Sequence, residues 1–259
     1  MLYMNFQKKY FHHVHNHEHS HISDDDTLNS SKKRHISIAK KVLDVNQEKA
    51  NLNRKLFAEK GIYVLNVMSS PGSGKTTLLQ KTLATLKEEK ISCAVIVGDI
   101  CTQNDADRLS ICGMPVIQIN TDAFGGDCHL TAQEVEKAFV NLNIDNPDLL
   151  IIENVGNLVC PAEFDVGEDA RAVILSVTEG EDKPLKYPLM FRESNIALLS
   201  KTDLLPYLDF DVELTKKNIS EINPDMPVIE ISAKTKEGFD KWIDWLKLQI
   251  KNKKAHQED

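Results

Sequence analysis

Hydrophobic and polar positions follow two patterns that alternate along most of the chain. Short runs rich in Val, Ile and Leu recur between longer stretches in which apolar residues are spaced by three or four positions. Short apolar runs are typical of buried strands, and the wider spacing is typical of amphipathic helices. The predicted strands are 62–68, 92–98, 115–119, 149–154, 172–177, 196–200 and 227–232. The predicted helices are 36–60, 75–89, 132–141, 212–222 and 239–251.

The alternation of these strands and helices predicts an α/β fold. Its central sheet should be mostly parallel and covered by helices on both faces. Residues 32–259 are expected to form one domain that begins near the 36–60 helix, because the chain shows neither an internal repeat nor a second core.

Residues 1–31 differ in composition from the rest of the chain. Six of the nine histidines lie in this segment, and an acidic run at 23–26 follows them. The six are His12, His13, His15, His17, His19 and His21. A segment with so little to bury is expected to be a disordered tail, and its alternating imidazoles are candidate ligands for nickel. An engineered tag is the alternative explanation.

Charge and cysteine content exclude some classes of protein. A formal net charge of −8 without a basic stripe argues against a nucleic-acid-binding function. Five scattered cysteines do not resemble a disulfide framework, so we expect reduced thiols in a cytoplasmic protein, with Cys93 and Cys112 in the core. No signal peptide and no run of 18 apolar residues is visible, which predicts neither export nor a membrane partner.

The segment SSPGSGKTTLL at 69–79 lies between a predicted strand and a predicted helix, the context of a phosphate-binding loop. Gly72 and Gly74 would let backbone N–H groups face phosphate oxygens. Lys75 would reach the β- and γ-phosphates, and the Thr76 hydroxyl would bind Mg²⁺. Ser69 stands where the motif has glycine, which a negative φ would permit. The other predicted nucleotide contacts in this loop are Ser73 and Thr77.

Two later segments indicate a guanine base. In SKTD at 200–203, Asp203 would accept hydrogen bonds from the guanine N1–H and 2-amino groups, and Lys201 would pack over the base. Ser200 replaces the asparagine that usually braces this loop. In SAK at 232–234, the Ala233 amide would face the guanine O6. Ser232 and Lys234 complete this second predicted element.

Carboxylates at the ends of two predicted strands are candidates for Mg²⁺ binding and catalysis. Asp99 ends one strand, and Glu153 ends another, with Gly156 placed for a contact to the γ-phosphate. Lys75, Asp99 and Glu153 are therefore the predicted catalytic residues, and Thr76, Asp99 and Glu153 the predicted magnesium ligands. Asp105 and Asp107 are interpreted as helix caps or surface charges. No glutamine or arginine finger is evident, so we expect slow hydrolysis of GTP to GDP.

With these motifs, the chain resembles the HypB family of hydrogenase nickel-incorporation GTPases. The resemblance lies in SSPGSGKTTLL, GDICTQNDADRL, GGDCHLTAQEV, IIENVGNLVCPAEFDVGE, SKTDLLPY and SAKTKEGF, all in family order. It implies a P-loop NTPase fold and a GTP-dependent homodimer that gates nickel insertion during hydrogenase maturation. It also implies two partners, a nickel-binding hydrogenase accessory protein and the precursor of the hydrogenase large subunit.

The resemblance further implies a metal site at the dimer interface, formed by Cys128, His129 and Cys160. Thr131 and Glu134 match a capping box, and a helix N-terminus beside Cys128 would favour its thiolate form. Thiolate and imidazole ligands suit Ni²⁺ or Zn²⁺. The alternatives are a metal-storage protein with vestigial nucleotide binding, a urease accessory GTPase and a P-loop kinase for small molecules.

Overall fold

A computed structural model describes residues 24–99, 104–121 and 128–255, with side chains from residue 40 onward. The chain contains two compact units, residues 1–40 and 41–259. The described part of the first unit is helical. The six histidines predicted to bind metal lie outside the described residues, and no described helix has the length and apolar character needed to cross a membrane.

The described elements alternate as the sequence predicts. The strands are β1 (Tyr63–Ser69), β2 (Cys93–Asp99), β3 (Val116–Asn120), β4 (Leu149–Glu153), β5 (Ala170–Ser176), β6 (Ile196–Ser200) and β7 (Val228–Ile231). The longer helices are α1 (Asp24–Glu59), α2 (Lys75–Glu88), α4 (Ala132–Asn141), α8 (Val212–Ile222) and α9 (Phe239–Ala255). The short ones are α3 (Asn104–Ser110), α5 (Cys160–Glu163), α6 (Lys183–Lys186), α7 (Pro188–Arg192) and a 3₁₀ helix (Thr202–Tyr207).

The seven strands form one parallel sheet in the order β3-β2-β4-β1-β5-β6-β7. Strand β1 is central, with Val67 level with Glu153 of β4 on one side and Ala172 of β5 on the other. Because all strands are parallel, their carboxyl ends meet at one edge, where doubly wound sheets bind ligands. The predicted fold class is confirmed.

Helices cover both faces of the sheet. On one face, Leu79 and Leu83 of α2 and Trp242 of α9 are fully buried against the strands. The Trp242 indole N–H donates to the Thr82 hydroxyl at 2.9 Å, so the buried indole keeps a polar partner. On the other face, Phe57 of α1 meets Phe139 of α4 edge-on, with ring centroids 5.0 Å apart.

Helix α1 is longer than predicted, because its first residues are too polar to show an apolar period. The sequence does not predict the four short helices α3, α5, α6 and α7. They have 4 to 7 residues each, which is too few to show an apolar period.

Candidate nucleotide and metal site

The phosphate loop joins β1 to α2 at the centre of the sheet edge. Gly72 and Gly74 have φ angles of +74° and +95°, which side-chain-bearing residues rarely adopt. Gly74 is the N-cap of α2 without a side-chain cap, so the first N–H groups of the helix remain for an anion. Ser69 is buried at the end of β1 without a positive φ, as its place in the motif requires.

Glu153 lies at the end of β4 with its side chain 1% exposed. It accepts a hydrogen bond from the Thr76 hydroxyl at 2.7 Å and lies 3.4 Å from the Lys75 ammonium. Burial raises the pKa of this carboxyl, and the nearby Lys75 opposes that effect. The second oxygen, Oε2, is buried without a hydrogen-bond partner. A buried carboxylate oxygen without a partner, beside a threonine hydroxyl, matches the oxygen ligands that Mg²⁺ requires.

A cleft of about 550 Å³ opens above the loop. Asp99, Gly156 and residues 69–77 line it as predicted. A Cβ on Gly156 would lie 3.1 Å from Pro71 Cα, so glycine allows this close approach of the two loops. The cleft is large enough for phosphate groups and presents Lys75 toward them.

Two lining residues of the cleft were not predicted. Asp105, interpreted as a helix cap or surface charge, lies in the first turn of α3 and also lines the cleft. Arg108 also lines the cleft and donates to the Thr77 hydroxyl at 2.8 Å. Both belong to α3, which is too short to show from its sequence that these two residues line the cleft. The described cleft thus holds a guanidinium that no motif of the sequence indicates.

A second cavity of about 180 Å³ continues from the first and contains the predicted base elements. Asp203, Ala233 and Lys234 line it. Ser232 donates to Asp203 Oδ1 at 2.6 Å, and its hydroxyl also accepts from the Lys234 N–H at 3.1 Å. These bonds hold the two separate segments together, so the Asp203 carboxylate has a defined orientation in this cavity.

The SKTD segment also contacts the phosphate loop. The Ser200 hydroxyl donates to the Ser73 carbonyl at 2.8 Å, so serine supplies the brace that asparagine usually provides. Lys201 has a φ of +61° and donates from its ammonium to the Gly72 carbonyl at 2.7 Å. Its aliphatic chain passes Gly74, where an added Cβ would lie 3.6 Å from Lys201 Cε.

Cys128, His129 and Cys160 come together, with their potential ligand atoms all within 4.8 Å of one another. The sulfur atoms of Cys128 and Cys160 lie in direct contact, with Cα atoms 6.2 Å apart, a spacing that a disulfide would also permit. The His129 Nδ1 lies 3.9 Å from Cys128 Sγ, and its ring stacks on Phe164 at 3.7 Å. Only the reduced cysteines could act as metal ligands, because the ligand is the thiolate.

The segment after the Cys-His pair is held at several points. Thr131 and Glu134 form the predicted capping box of α4. Asn46 of α1 accepts from the Ala132 N–H at 2.9 Å, and Asn53 donates to the Ala132 carbonyl at 2.7 Å. The start of α4 is therefore positioned by α1, three residues after His129, the last candidate ligand in this loop.

The expectation that Cys93 and Cys112 belong to the core agrees with their surroundings. Cys93 is fully buried in β2, and burial raises the pKa of its thiol to about 12. Cys112 is partly buried against the hydrophobic core cluster that contains Cys93, and burial raises the pKa of the Cys112 thiol as well. Neither thiol lies in the metal cluster found among the described residues.

Comparison with known proteins agrees with this geometry. Residues 63–230 match the model of the family "CobW/HypB/UreG, nucleotide-binding domain". The chain is 52% identical over 219 residues to the hydrogenase maturation factor HypB of Escherichia coli K12, covering 85% of this chain and 74% of that protein. This chain belongs to the HypB family.

Solved HypB structures share the fold as well as the sequence. The crystal structure of HypB from Helicobacter pylori in complex with nickel matches with a TM-score of 0.75 and 39% identity, covering 80% of this chain and 95% of that one. HypB from Archaeoglobus fulgidus matches with a TM-score of 0.74 and 36% identity, covering 80% and 99%. The resemblance to HypB stated from the motifs is confirmed.

The family match places most of the HypB motifs of this chain in a shared domain. The phosphate loop, Glu153, the SKTD segment and all three clustered candidate metal ligands lie within residues 63–230. The SAK segment at 232–234 follows directly after that range. The P-loop nucleotide-binding fold is therefore common to this chain and its HypB relatives.

Proposed function

We propose that this HypB-family chain is a GTP-hydrolysing nickel metallochaperone, which gates nickel insertion during [NiFe]-hydrogenase maturation by nucleotide-dependent dimerisation. The observation that carries the proposal is the position of Cys160, seven residues after Glu153 in the segment that leaves the phosphate cleft. Cys128 and His129 approach it from the loop after β3. A change in nucleotide at the cleft would therefore act on one ligand-bearing segment directly.

For the nucleotide, the roles follow from the geometry of the cleft. The backbone N–H groups at the start of α2 and the Lys75 ammonium would bind the phosphates of GTP. Thr76, Asp99 and Glu153 would hold Mg²⁺, which would supply charge neutralisation at the β- and γ-phosphates. Arg108 adds a positive charge beside Thr77 in the same cleft. Asp203 would select guanine, because its carboxylate accepts from both the N1–H and the 2-amino group.

For the metal, the donor set is two thiolates and one imidazole. These ligands suit Ni²⁺ and Zn²⁺ and leave at least one coordination position for a second copy of the chain or for exchange. The ion is the cargo of the protein in this proposal. The crystal structure of a nickel-bound HypB relative supports nickel as that cargo.

The proposal includes a cytoplasmic homodimer whose partners are a nickel-binding accessory protein and the hydrogenase large-subunit precursor. The histidines of residues 12–21 would supply additional nickel sites. A storage protein with vestigial nucleotide binding is less well supported, because Ser200 contacts the phosphate loop and Ser69 occupies its place without strain. A urease accessory GTPase is less well supported because the relatives described above are HypB proteins.

The test is a titration of the full chain with Ni²⁺ and Zn²⁺ under reducing conditions, with either GDP or a non-hydrolysable GTP analogue. The six tail histidines are replaced by alanine in a parallel sample, so that the Cys128–His129–Cys160 site is measured by itself. We expect both metal affinity and dimerisation to change with the nucleotide. Equal affinity and equal mass in the two nucleotide states would contradict gating and favour storage.

A further inference from the structure

A continuous row of hydrogen-bonded polar side chains runs from the end of β4 across β1 to β5. It consists of Asn154, Asn66, Glu168 and Arg171. Asn66 and Asn154 are fully buried and Glu168 is 6% exposed. The Asn154 amide donates to Asn66 Oδ1 at 3.2 Å, and the Asn66 amide donates to Glu168 Oε1 at 3.2 Å. Arg171 then donates from Nε to the same Glu168 oxygen at 2.5 Å.

One end of this row holds the segment that carries Cys128 and His129. Asn154 Oδ1 accepts from the Leu130 N–H at 3.3 Å and from the Val155 N–H at 2.9 Å. Leu130 is fully buried, and an added Cβ on Gly98 would lie 2.8 Å from its Cγ. Because Asn154 directly follows Glu153, a shift of the cleft carboxylate would move the hydrogen bond that anchors Leu130.

The other end of the row holds the segment that carries Cys160. Arg171, on β5, donates from Nη1 to the Ala162 carbonyl at 3.0 Å. Ala162 is buried in α5, two residues after Cys160. The Glu168 carboxylate, in addition, accepts from the Val166 N–H at 2.8 Å. This end is tied to β5 rather than to β4, so the two ligand-bearing segments have different supports.

The composition of the row is unusual for a position between hydrophobic clusters. Asn66 is the polar residue in the otherwise apolar middle of β1, whose neighbours Leu65 and Val67 belong to the core. A buried ion pair is rarely worth more than a well-packed apolar replacement, and a buried polar network requires every member to be satisfied. A stabilising role alone therefore gives little reason for four polar residues here.

We propose that the row Asn154–Asn66–Glu168–Arg171 couples nucleotide state at Glu153 to the spacing of the two metal-ligand segments. Asn154 would follow the cleft and take the Cys128–His129 segment with it. Glu168 and Arg171 would hold the Cys160 segment against β5, and Asn66 joins the two halves. The inference rests on the proposed function, because it explains how nucleotide gating of metal affinity is transmitted.

The deciding variant is Asn66→Ala. It breaks the row in the middle and leaves the bonds to Leu130 and Ala162 in place, so it touches neither metal ligand nor nucleotide contact. The quantity measured is the ratio of Ni²⁺ dissociation constants with GDP and with a non-hydrolysable GTP analogue, in the reduced full chain. A coupling of about fivefold or more is expected in the unmodified chain, and a ratio within about twofold of one in Asn66→Ala.

Three further variants keep the test independent of folding. Arg171→Lys retains the charge beside Glu168 but cannot reach both Glu168 and Ala162, so the ratio should fall as in Asn66→Ala. The double variant should lower the ratio no further than either single variant, because residues of one row act non-additively. Thr82→Val is the matched control: it removes the buried hydroxyl partner of Trp242 on the opposite face, and the ratio should stay at its original value.

The outcomes separate the two proposals. The coupling role would be overturned if Asn66→Ala and Arg171→Lys both kept the ratio of Ni²⁺ dissociation constants of the unmodified chain, with GTP affinity unchanged. Nickel gating itself would remain intact in that case. The same follows if Thr82→Val lowers the ratio equally, because general loosening of the core would then explain it. If the unmodified chain shows no difference between nucleotides, gating itself fails and the row has nothing to transmit.

Discussion

Glu153 is the residue at which several contacts of the candidate nucleotide site meet. Its carboxylate accepts from Thr76, faces Lys75 and leaves one buried oxygen without a partner. GTPases usually carry aspartate at this position, and the extra methylene of glutamate lets the carboxylate reach the loop from the end of β4. Because burial raises its pKa, binding a cation there would be accompanied by loss of a proton whenever the carboxyl is protonated.

The base specificity of the chain is predicted to depend on Asp203. In Asp203→Asn, the amide cannot accept from both guanine donors, but it can donate to the second carbonyl of xanthine. We expect GTP affinity to fall by roughly 10- to 100-fold, as for loss of one hydrogen bond to a charged group, and affinity for the xanthine nucleotide to rise. Fluorescence titration with GDP, xanthosine diphosphate and ADP measures this change.

Asp240→Asn, at an exposed position of α9, is the control for the loss of one carboxylate. Equal loss of guanine and xanthine nucleotide binding in Asp203→Asn would contradict base recognition by this side chain. It would instead indicate that the Ser232–Asp203 bond only stabilises the loop.

At the scale of elements, α1 is joined to the loop that follows α5. Arg54 donates two hydrogen bonds to the Asp165 carboxylate, at 2.8 and 2.7 Å. Gly167 has a φ of +93°, and an added Cβ there would lie 2.5 Å from the Asn53 Cβ. The loop therefore approaches α1 so closely that its conformation and its charge pairing are both determined by that helix.

The Asp165 pairing predicts a pH-dependent contribution to stability. Burial acts to raise the pKa of Asp165, but hydrogen bonds from Arg54, Gly167 and Gln47 outweigh it and lower the pKa from 3.8 to about 2. A carboxyl whose pKa is lower in the folded chain stabilises the fold at any pH above its pKa in the unfolded chain. This stabilisation is lost as the pH falls toward the pKa of the carboxyl in the folded chain. Asp165→Asn should lower the free energy of unfolding at pH 7 by up to about 2 kcal/mol.

Denaturant unfolding of the variant and the original chain from pH 7 down to pH 2 measures the effect. The difference between them should shrink between about pH 4 and pH 2, because the original carboxylate becomes protonated there. Asp209→Asn, at an exposed position, should show no such difference. If the difference in the free energy of unfolding stays constant down to pH 2, packing and not the ion pair accounts for the lower stability of Asp165→Asn.

At the scale of the whole molecule, the metal cluster and the nucleotide cleft lie on the same side of the fold, at and beyond the carboxyl ends of β2 and β4. Glu153 ends β4, and Cys160 begins α5 a few residues later. This proximity makes a combined metal and nucleotide response possible within one domain, without a separate metal-binding module.

Cys160→Ala is predicted to separate the two activities. Loss of one thiolate ligand should weaken Ni²⁺ binding to the cluster by at least about tenfold, since even outer-shell partners of metal ligands contribute that much. The nucleotide dependence of metal binding and of dimerisation should fall with it, while GDP affinity stays unchanged. Isothermal titration and mass measurement of the tail-histidine variant, with reductant present, give all three quantities.

Cys112→Ala is the matched control, because Cys112 is partly buried and lies outside the cluster found among the described residues. Its metal affinity should equal that of the original chain. If Cys160→Ala also binds Ni²⁺ normally and responds to nucleotide as before, the cluster is not the gated site.

The sequence by itself determined the succession of strands and longer helices along the chain and the positions of the phosphate loop and of the SKTD and SAK segments. These features depend on local patterns: apolar period, glycine at turns, and polar residues directly after strands. The Cys-His pair and Cys160 were identifiable through the resemblance to HypB, and the fold places them together.

Tertiary structure alone decided the features that depend on which strands and segments become neighbours. The short helix α3 turns Asp105 and Arg108 into the cleft, although nothing in its 7 residues indicates a buried or exposed face. Asn66 and Glu168 are 102 positions apart in sequence and meet only because β1 and β5 pair in parallel. Local patterns carry information about a residue and its near neighbours along the chain. Contacts across the sheet arise from strand order and register, so only the folded chain defines them.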